Sequence, residues 1–239
     1  MDLPFPEIVV AAPRAVGARR AFAWYEDAMR LFKLAPITWC ALGLITLAAD
    51  FGLQLLPGVG IAVSKVIVPL VECGMLIGAA ALDRGHPLSL RYSYAAFGAR
   101  PGAVAAIVIS ALAVFAAEAL AAYFLADANL LVADSESVEL SSPAVIGTVI
   151  ISALASLPVA FVPFAALFSG ASFVDAFASS ARAFALNLAP LLIFAALAVV
   201  LVALGLVLLG IGLIAVFPLL SAASYAAWKD IFPVDVERS

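Results

Sequence analysis

Residues 36–81 read PITWCALGLITLAADFGLQLLPGVGIAVSKVIVPLVECGMLIGAAA, 46 residues in which only Asp50, Lys65 and Glu72 are charged. As one straight helix at ~1.5 Å per residue the stretch would be about 69 Å long. A hydrocarbon core is ~30 Å thick and ~20 helical residues cross it, so the run must fold back. The break falls at Pro57-Gly58-Val59-Gly60, where proline and glycine together mark a turn. Helices of about 36–56 and 59–82 follow.

The same logic extends along the chain. Apolar runs at 102–126 and 143–168 each fit one tilted helix, and the run at 190–227 needs a second fold-back near Gly205, Gly210 and Gly212. That yields helices of about 102–126, 143–168, 189–207 and 210–228. The expected fold class is therefore all-α: a polytopic integral membrane protein forming a single membrane domain over 1–239. Its six transmembrane helices would form three hairpins. Composition agrees. Hydrophobic residues make up 66% of the 239 residues and charged residues 12%, against roughly 45–50% and 25% in soluble domains. A water-soluble globule could not hide that much apolar surface behind so few charges. The two cysteines, Cys40 and Cys73, lie inside apolar runs and supply no disulfide framework. Residues 1–35 carry scattered charge and no apolar stretch before a cleavage site, so the first span is expected to act as the insertion signal.

Net charge is −4, but the charges are segregated. Six spans place Arg14, Arg19, Arg20, Arg30, Lys33, Arg84, Arg91, Arg100, Arg182, Lys229 and Arg238 on one side, leaving only Lys65 within a span. The opposite side has two tight turns and the loop 127–142, with Asp127, Asp134, Glu136 and Glu139 and no base. Basic loops are retained in the cytoplasm, so both termini are expected there.

The odd-numbered spans begin alike, at Leu34-Ala35-Pro36, Ala99-Arg100-Pro101 and Leu188-Ala189-Pro190. Proline suits a first turn because the N–H it lacks has no intrahelical partner there. Each is preceded by a segment of mixed polarity. In 19–33, Arg19, Arg20, Glu26, Asp27, Arg30 and Lys33 share one face, with Ala21, Phe22, Trp24, Tyr25, Ala28, Met29, Leu31 and Phe32 on the rest. An interfacial amphipathic helix with Trp24 and Tyr25 at headgroup depth is the expectation. Residues 172–187 repeat the plan, opening on Ser172-Phe173-Val174-Asp175 with capping-box spacing; 88–99 is a shorter version. Ala81-Leu82-Asp83-Arg84-Gly85 and Ala166-Leu167-Phe168-Ser169-Gly170 mark equivalent exits.

The tail Ser224-Tyr225-Ala226-Ala227-Trp228-Lys229-Asp230-Ile231-Phe232 resembles the closing motif of a family of uncharacterised proteobacterial six-helix inner-membrane proteins. Members end in Ser-Tyr-x-x-aromatic-basic-Asp-Ile-Phe. The stretches 24–39 and 175–190, with Ala181-Arg182 and Asn187 before the proline, are similar to it as well. That group is in turn distantly similar to the membrane domain of some bacterial glycerophosphodiester phosphodiesterases, whose catalytic domain is absent here. The resemblance implies a bacterial inner membrane and a topology. It implies no activity and no catalytic residues.

Ionisable groups inside a span are costly unless paired or wetted. Asp50, Lys65, Glu72 and Glu118 are such groups. Folding the first hairpin sets Asp50 and Lys65 ~10 Å beneath the outer face, with Glu118 at a comparable level and Glu72 two turns deeper. Two readings follow: a polar cavity open to the outer side, or an Asp50–Lys65 ion pair that locks the hairpin. Other chemistry is thin. His86, the single histidine, has no second ligand beside it, Gly58-x-Gly60 is a turn, and Gly74-x-x-x-Gly78 suits a close approach. No nucleophile–base pair, metal set or phosphate loop is visible. The expected function is that of a non-enzymatic interaction or membrane-organising protein, without cofactor. Its expected partners are the lipid bilayer and a protein at the cytoplasmic face, with no nucleic acid. The alternative is a small-solute or ion transporter using the four buried charges.

Overall fold

The computed structural model describes residues 11–57, 59–126, 143–208 and 210–233. Among them the chain is all-helical. The α-helices are α1 (Arg20–Leu34), α2 (Pro36–Gln54), α3 (Gly60–Asp83), α4 (Pro101–Ala126), α5 (Pro143–Ser156), α6 (Val162–Phe168), α7 (Phe173–Leu186), α8 (Leu188–Val207) and α9 (Leu213–Ile231). The acidic loop 127–142, Gly58 and Arg238 lie outside the described residues. Five stretches are long and apolar enough to cross a membrane: Pro36–Gln54, Gly60–Asp83, Pro101–Leu125, Ile146–Phe168 and Leu188–Val207. The sequence reading expected a sixth at about 210–228. The corresponding helix α9 runs on to Ile231, takes in Lys229 and Asp230, and is not among the five.

The starts match the prolines. Pro36 and Pro101 open α2 and α4, and Pro190 sits in the first turn of α8. Ser172 caps α7, accepting from the Asp175 amide at 3.2 Å while its hydroxyl donates to the Asp175 carboxylate at 2.6 Å. The two exits are alike too: Gly85 at φ 81° and Gly170 at φ 60° carry the left-handed turn that ends a helix.

The expected span 143–168 is not one continuous helix. α5 stops at Ser156, a 3-10 turn covers Leu157–Val159, and α6 begins at Val162. Pro158 and Pro163 remove the amides that would bridge the gap. A broken helix within a membrane needs its freed backbone groups satisfied from outside, and Ser180 of α7 does this. Its hydroxyl accepts from the Phe161 amide at 3.1 Å and donates to the Pro158 carbonyl at 2.8 Å, fully buried. Pro69 and Pro218, by contrast, sit inside the helices α3 and α9.

Packing follows a ring. α3 touches α4, α4 touches α5 and α6, α5 touches α8, α8 touches α9, and α9 returns to α3. α2 lies outside it against α3 and α9, and α1 lies against α9 and α8. The stripe Ala21, Trp24, Ala28 and Leu31 of α1 is buried in these contacts. The Trp24 side chain is thus fully covered by protein and not free to face lipid. Gly74 makes its close approach inside the fold. A Cβ there would collide with the Tyr92 carbonyl of the 3-10 helix Leu90–Gly98, so this segment lies directly on the α3 backbone.

Candidate functional site

Two places gather the polar groups. The first is an open cavity of about 400 Å³ lined by α3, α4, the α5–α6 break and α9. Lys65 and Glu72 reach it from α3 and Glu118 from α4, with Phe115, Phe164 and Phe217 among its walls. Glu72 lies twelve residues into α3, about 18 Å along at ~1.5 Å per residue, and is nevertheless exposed. An exposed carboxylate at that position faces the cavity space. The Lys65 ammonium lies 4.8 Å from the centre of the Phe115 ring, one helical turn before Glu118. Among the described residues no hydrogen bond or ion pair reaches Lys65, Glu72 or Glu118.

Asp50 does not line this cavity. Its carboxylate accepts from Gln54 on its own helix at 2.8 Å, and no Asp50–Lys65 ion pair forms among the described residues. The reason is directional: Lys65 turns toward α4, whereas Asp50 stands on α2. The expectation of a locking pair is therefore corrected, and three of the four candidate residues share one cavity.

The floor of the cavity, toward the end where Lys229 sits, is aromatic. Phe164 stacks on Trp228 at 5.3 Å and an interplanar angle of 12°, and Phe168 lies 5.4 Å from Trp228. All three side chains are buried. Beyond this floor lies the second polar site, built on two carboxylates. Asp83 accepts from Lys229 at 2.7 Å, Tyr225 at 3.0 Å and Arg30 at 3.1 Å, joining α3, α9 and α1. Asp230 accepts from Arg20 at 2.7 Å, Trp24 at 2.9 Å and Arg14 at 3.3 Å. Burial alone would push the Asp230 carboxyl up, but the Arg20, Trp24 and Arg14 donors outweigh it and hold it below the usual carboxylate range. The same hydrogen bond raises Arg20 above its ordinary value. Asn187 closes the lattice, donating to the Arg14 and Ala183 carbonyls at 2.9 and 3.0 Å and accepting from the Val16 amide at 2.8 Å.

Each distinctive side chain of the tail motif thus has a structural task. Tyr225 and Lys229 bind Asp83, Trp228 covers Phe164, Asp230 gathers α1, and Phe232 packs edge-on against Phe161 at 5.6 Å. Sequence reasoning missed Asp83 and Asp230 as hubs. The signal was present in the regular carboxylate-and-base pairs Asp83-Arg84 and Lys229-Asp230 at the ends of two apolar helices. No group of three His, Cys, Asp or Glu able to hold a metal occurs among the described residues.

Fold and site together define a helical membrane protein with an internal charged cavity above a cross-tied basic end. Comparison with protein-family models, with curated proteins and with solved structures returned no match.

Proposed function

We propose that the protein is a small-solute or ion transporter, non-enzymatic, whose transit site is the cavity holding Lys65, Glu72 and Glu118. The observation that carries this is the unpaired, exposed Glu72 midway along a 24-residue apolar helix. Ionisable groups at such depth face a wet interior and mark solute or proton paths. The broken α5–α6 helix on the cavity wall supports the reading, since transport sites are built where membrane helices are interrupted. Reconstitution into vesicles tests it. Flux of small ions or solutes is expected to fall on combined neutral replacement of Lys65, Glu72 and Glu118. Flux that survives the replacement contradicts transport through this site.

The accompanying topology has six spans, the sixth at about 210–228 within the region of α9, with residues 229–239 as a cytoplasmic tail and the helices paired as three hairpins. It sits in a bacterial inner membrane with both termini cytoplasmic, as the resemblance of the tail to the six-helix inner-membrane family implies. Segregation of the basic residues supports it. A membrane-organising role is favoured by a separate observation. Phe22, Met29 and Leu34 on the outer face of α1 are exposed beside Arg30 and Lys33, a pattern suited to lying on an anionic lipid surface. Loss of anionic-lipid co-purification on replacing Phe22 and Met29 by Ser is the expected result for that role. Unchanged lipid content argues against it.

A further inference from the structure

The chemistry of the cavity wall also points to what it admits. Ser110, Ser156, Ser221 and Ser224 line the cavity, and the hydroxyl protons of the first three are already committed, that of Ser221 to the Met75 sulfur at 4.0 Å. Ser110 donates to the Ile107 carbonyl at 2.8 Å and Ser156 to the Ala153 carbonyl at 2.7 Å. The oxygens of Ser110 and Ser156 are therefore left with lone pairs and no proton to give, so they can only accept. Glu72 and Glu118 offer two carboxylates against the single ammonium of Lys65. That ammonium lies over the Phe115 ring. With both carboxylates ionised, the site carries one more negative than positive charge. Phe115, Phe164 and Phe217 add aromatic faces, which attract cations most strongly where water is excluded. About 400 Å³ falls within the ~300–1,000 Å³ range of small-molecule sites.

We infer that the cavity binds a protonated organic amine carrying an apolar body, with its ammonium N–H groups directed to Glu72 and its apolar part against the phenylalanine rings. This assignment rests on the transport reading and names its substrate class. Anions of the same size meet two carboxylates and, at Ser110 and Ser156, hydroxyls with no proton to give, an arrangement that disfavours them. Lys65 acts as a competing internal cation: its removal makes the site more negative and favours the amine.

Binding of phenethylammonium and of phenylacetate to the full-length protein in lipid nanodiscs tests the assignment, with empty nanodiscs as the blank. The two probes are close in size and opposite in charge. The wild type is expected to bind phenethylammonium and not phenylacetate. Glu72→Gln should weaken phenethylammonium about tenfold or more, the loss of one charge-assisted contact. Lys65→Gln should tighten it by about threefold, a change of sign that misfolding cannot imitate. Equal or better binding of phenylacetate overturns the assignment, as does an unchanged affinity in Glu72→Gln. Binding of neither probe, with ion flux that still depends on Lys65, Glu72 and Glu118, overturns the amine assignment alone. Flux indifferent to those three residues removes the transport reading itself.

Discussion

The basic end and the cavity hold similar charged groups and use them in opposite ways. At the basic end the carboxylates of Asp83 and Asp230 each gather three side-chain donors from elsewhere in the chain. In the cavity, Lys65, Glu72 and Glu118 approach one another without a hydrogen bond or ion pair among the described residues. In lipid, apolar burial does not drive helices together, and packing and polar contacts carry more of the association. The difference shows where each kind of charge belongs. Satisfied charges sit where rigidity is needed, and unsatisfied ones sit where a solute must be able to replace the missing partner.

Several substitutions would break or sharpen this contrast, and the largest effect belongs at the basic end. Trp228→Ala removes the plate that stacks on Phe164 and supports Tyr225, and is expected to cost about 3–5 kcal/mol, as for buried aromatic truncations. A much lower midpoint in detergent thermal unfolding checks it. Asp83→Asn leaves Lys229 and Arg30 facing a neutral amide, with an expected loss of about 1.5–3 kcal/mol for charge-assisted hydrogen bonds. Ser180→Ala frees the Phe161 amide and the Pro158 carbonyl at the break and should cost about 1–3 kcal/mol. Recovery of thermal stability in Ser180→Thr would separate the lost hydroxyl from lost packing.

Acid provides a further test. The Asp230 carboxyl lies lower in the folded protein than its ordinary value. Its contribution is therefore present above the ordinary carboxylate pKa of ~3.9 and is lost as pH falls through the depressed folded value. Asp230→Asn should lower stability at neutral pH and flatten the acid limb of the stability profile. At the cavity the effect on folding should be smallest. Glu72→Gln is expected to change the unfolding midpoint little, within about 0.5 kcal/mol or slightly stabilising, because no partner is lost. A large destabilisation would show that Glu72 is structurally tied and would erase the contrast.

Much of this was legible in the chain. Pro36, Pro101 and Pro190 located three helix starts, Ser172 and Asp175 one cap, and Gly85 and Gly170 two exits, because capping and left-handed turns are local chemistry. Lys65, Glu72 and Glu118 were legible as a group because depth follows from counting residues along a helix. Rotation about the helix axis does not, and so the chain alone could not tell that Asp50 stays off the cavity wall. The α5–α6 break was only half legible: Pro158 and Pro163 signal it, but Pro69 and Pro218 look similar and leave their helices intact. What separates them is Ser180, more than fifteen residues away in sequence. The burial of Trp24 escaped for a related reason. An amphipathic pattern states that one face is covered without stating whether lipid or protein covers it, and the partner Asp230 lies 206 residues further on.

Transport through this cavity requires that water reach Glu72 from the end of the bundle opposite Lys229. Cysteine labelling tests this most directly, using Glu72→Cys in a background where Cys40 and Cys73 are replaced by alanine. A membrane-impermeant thiol reagent is applied to sealed vesicles from one face at a time, with Lys229→Cys marking the other face. The expected result is reaction of the position-72 thiol only from the face where the position-229 thiol is silent. A position-72 thiol that stays unreactive until the membrane is dissolved, or that reacts from the Lys229 face, contradicts the account.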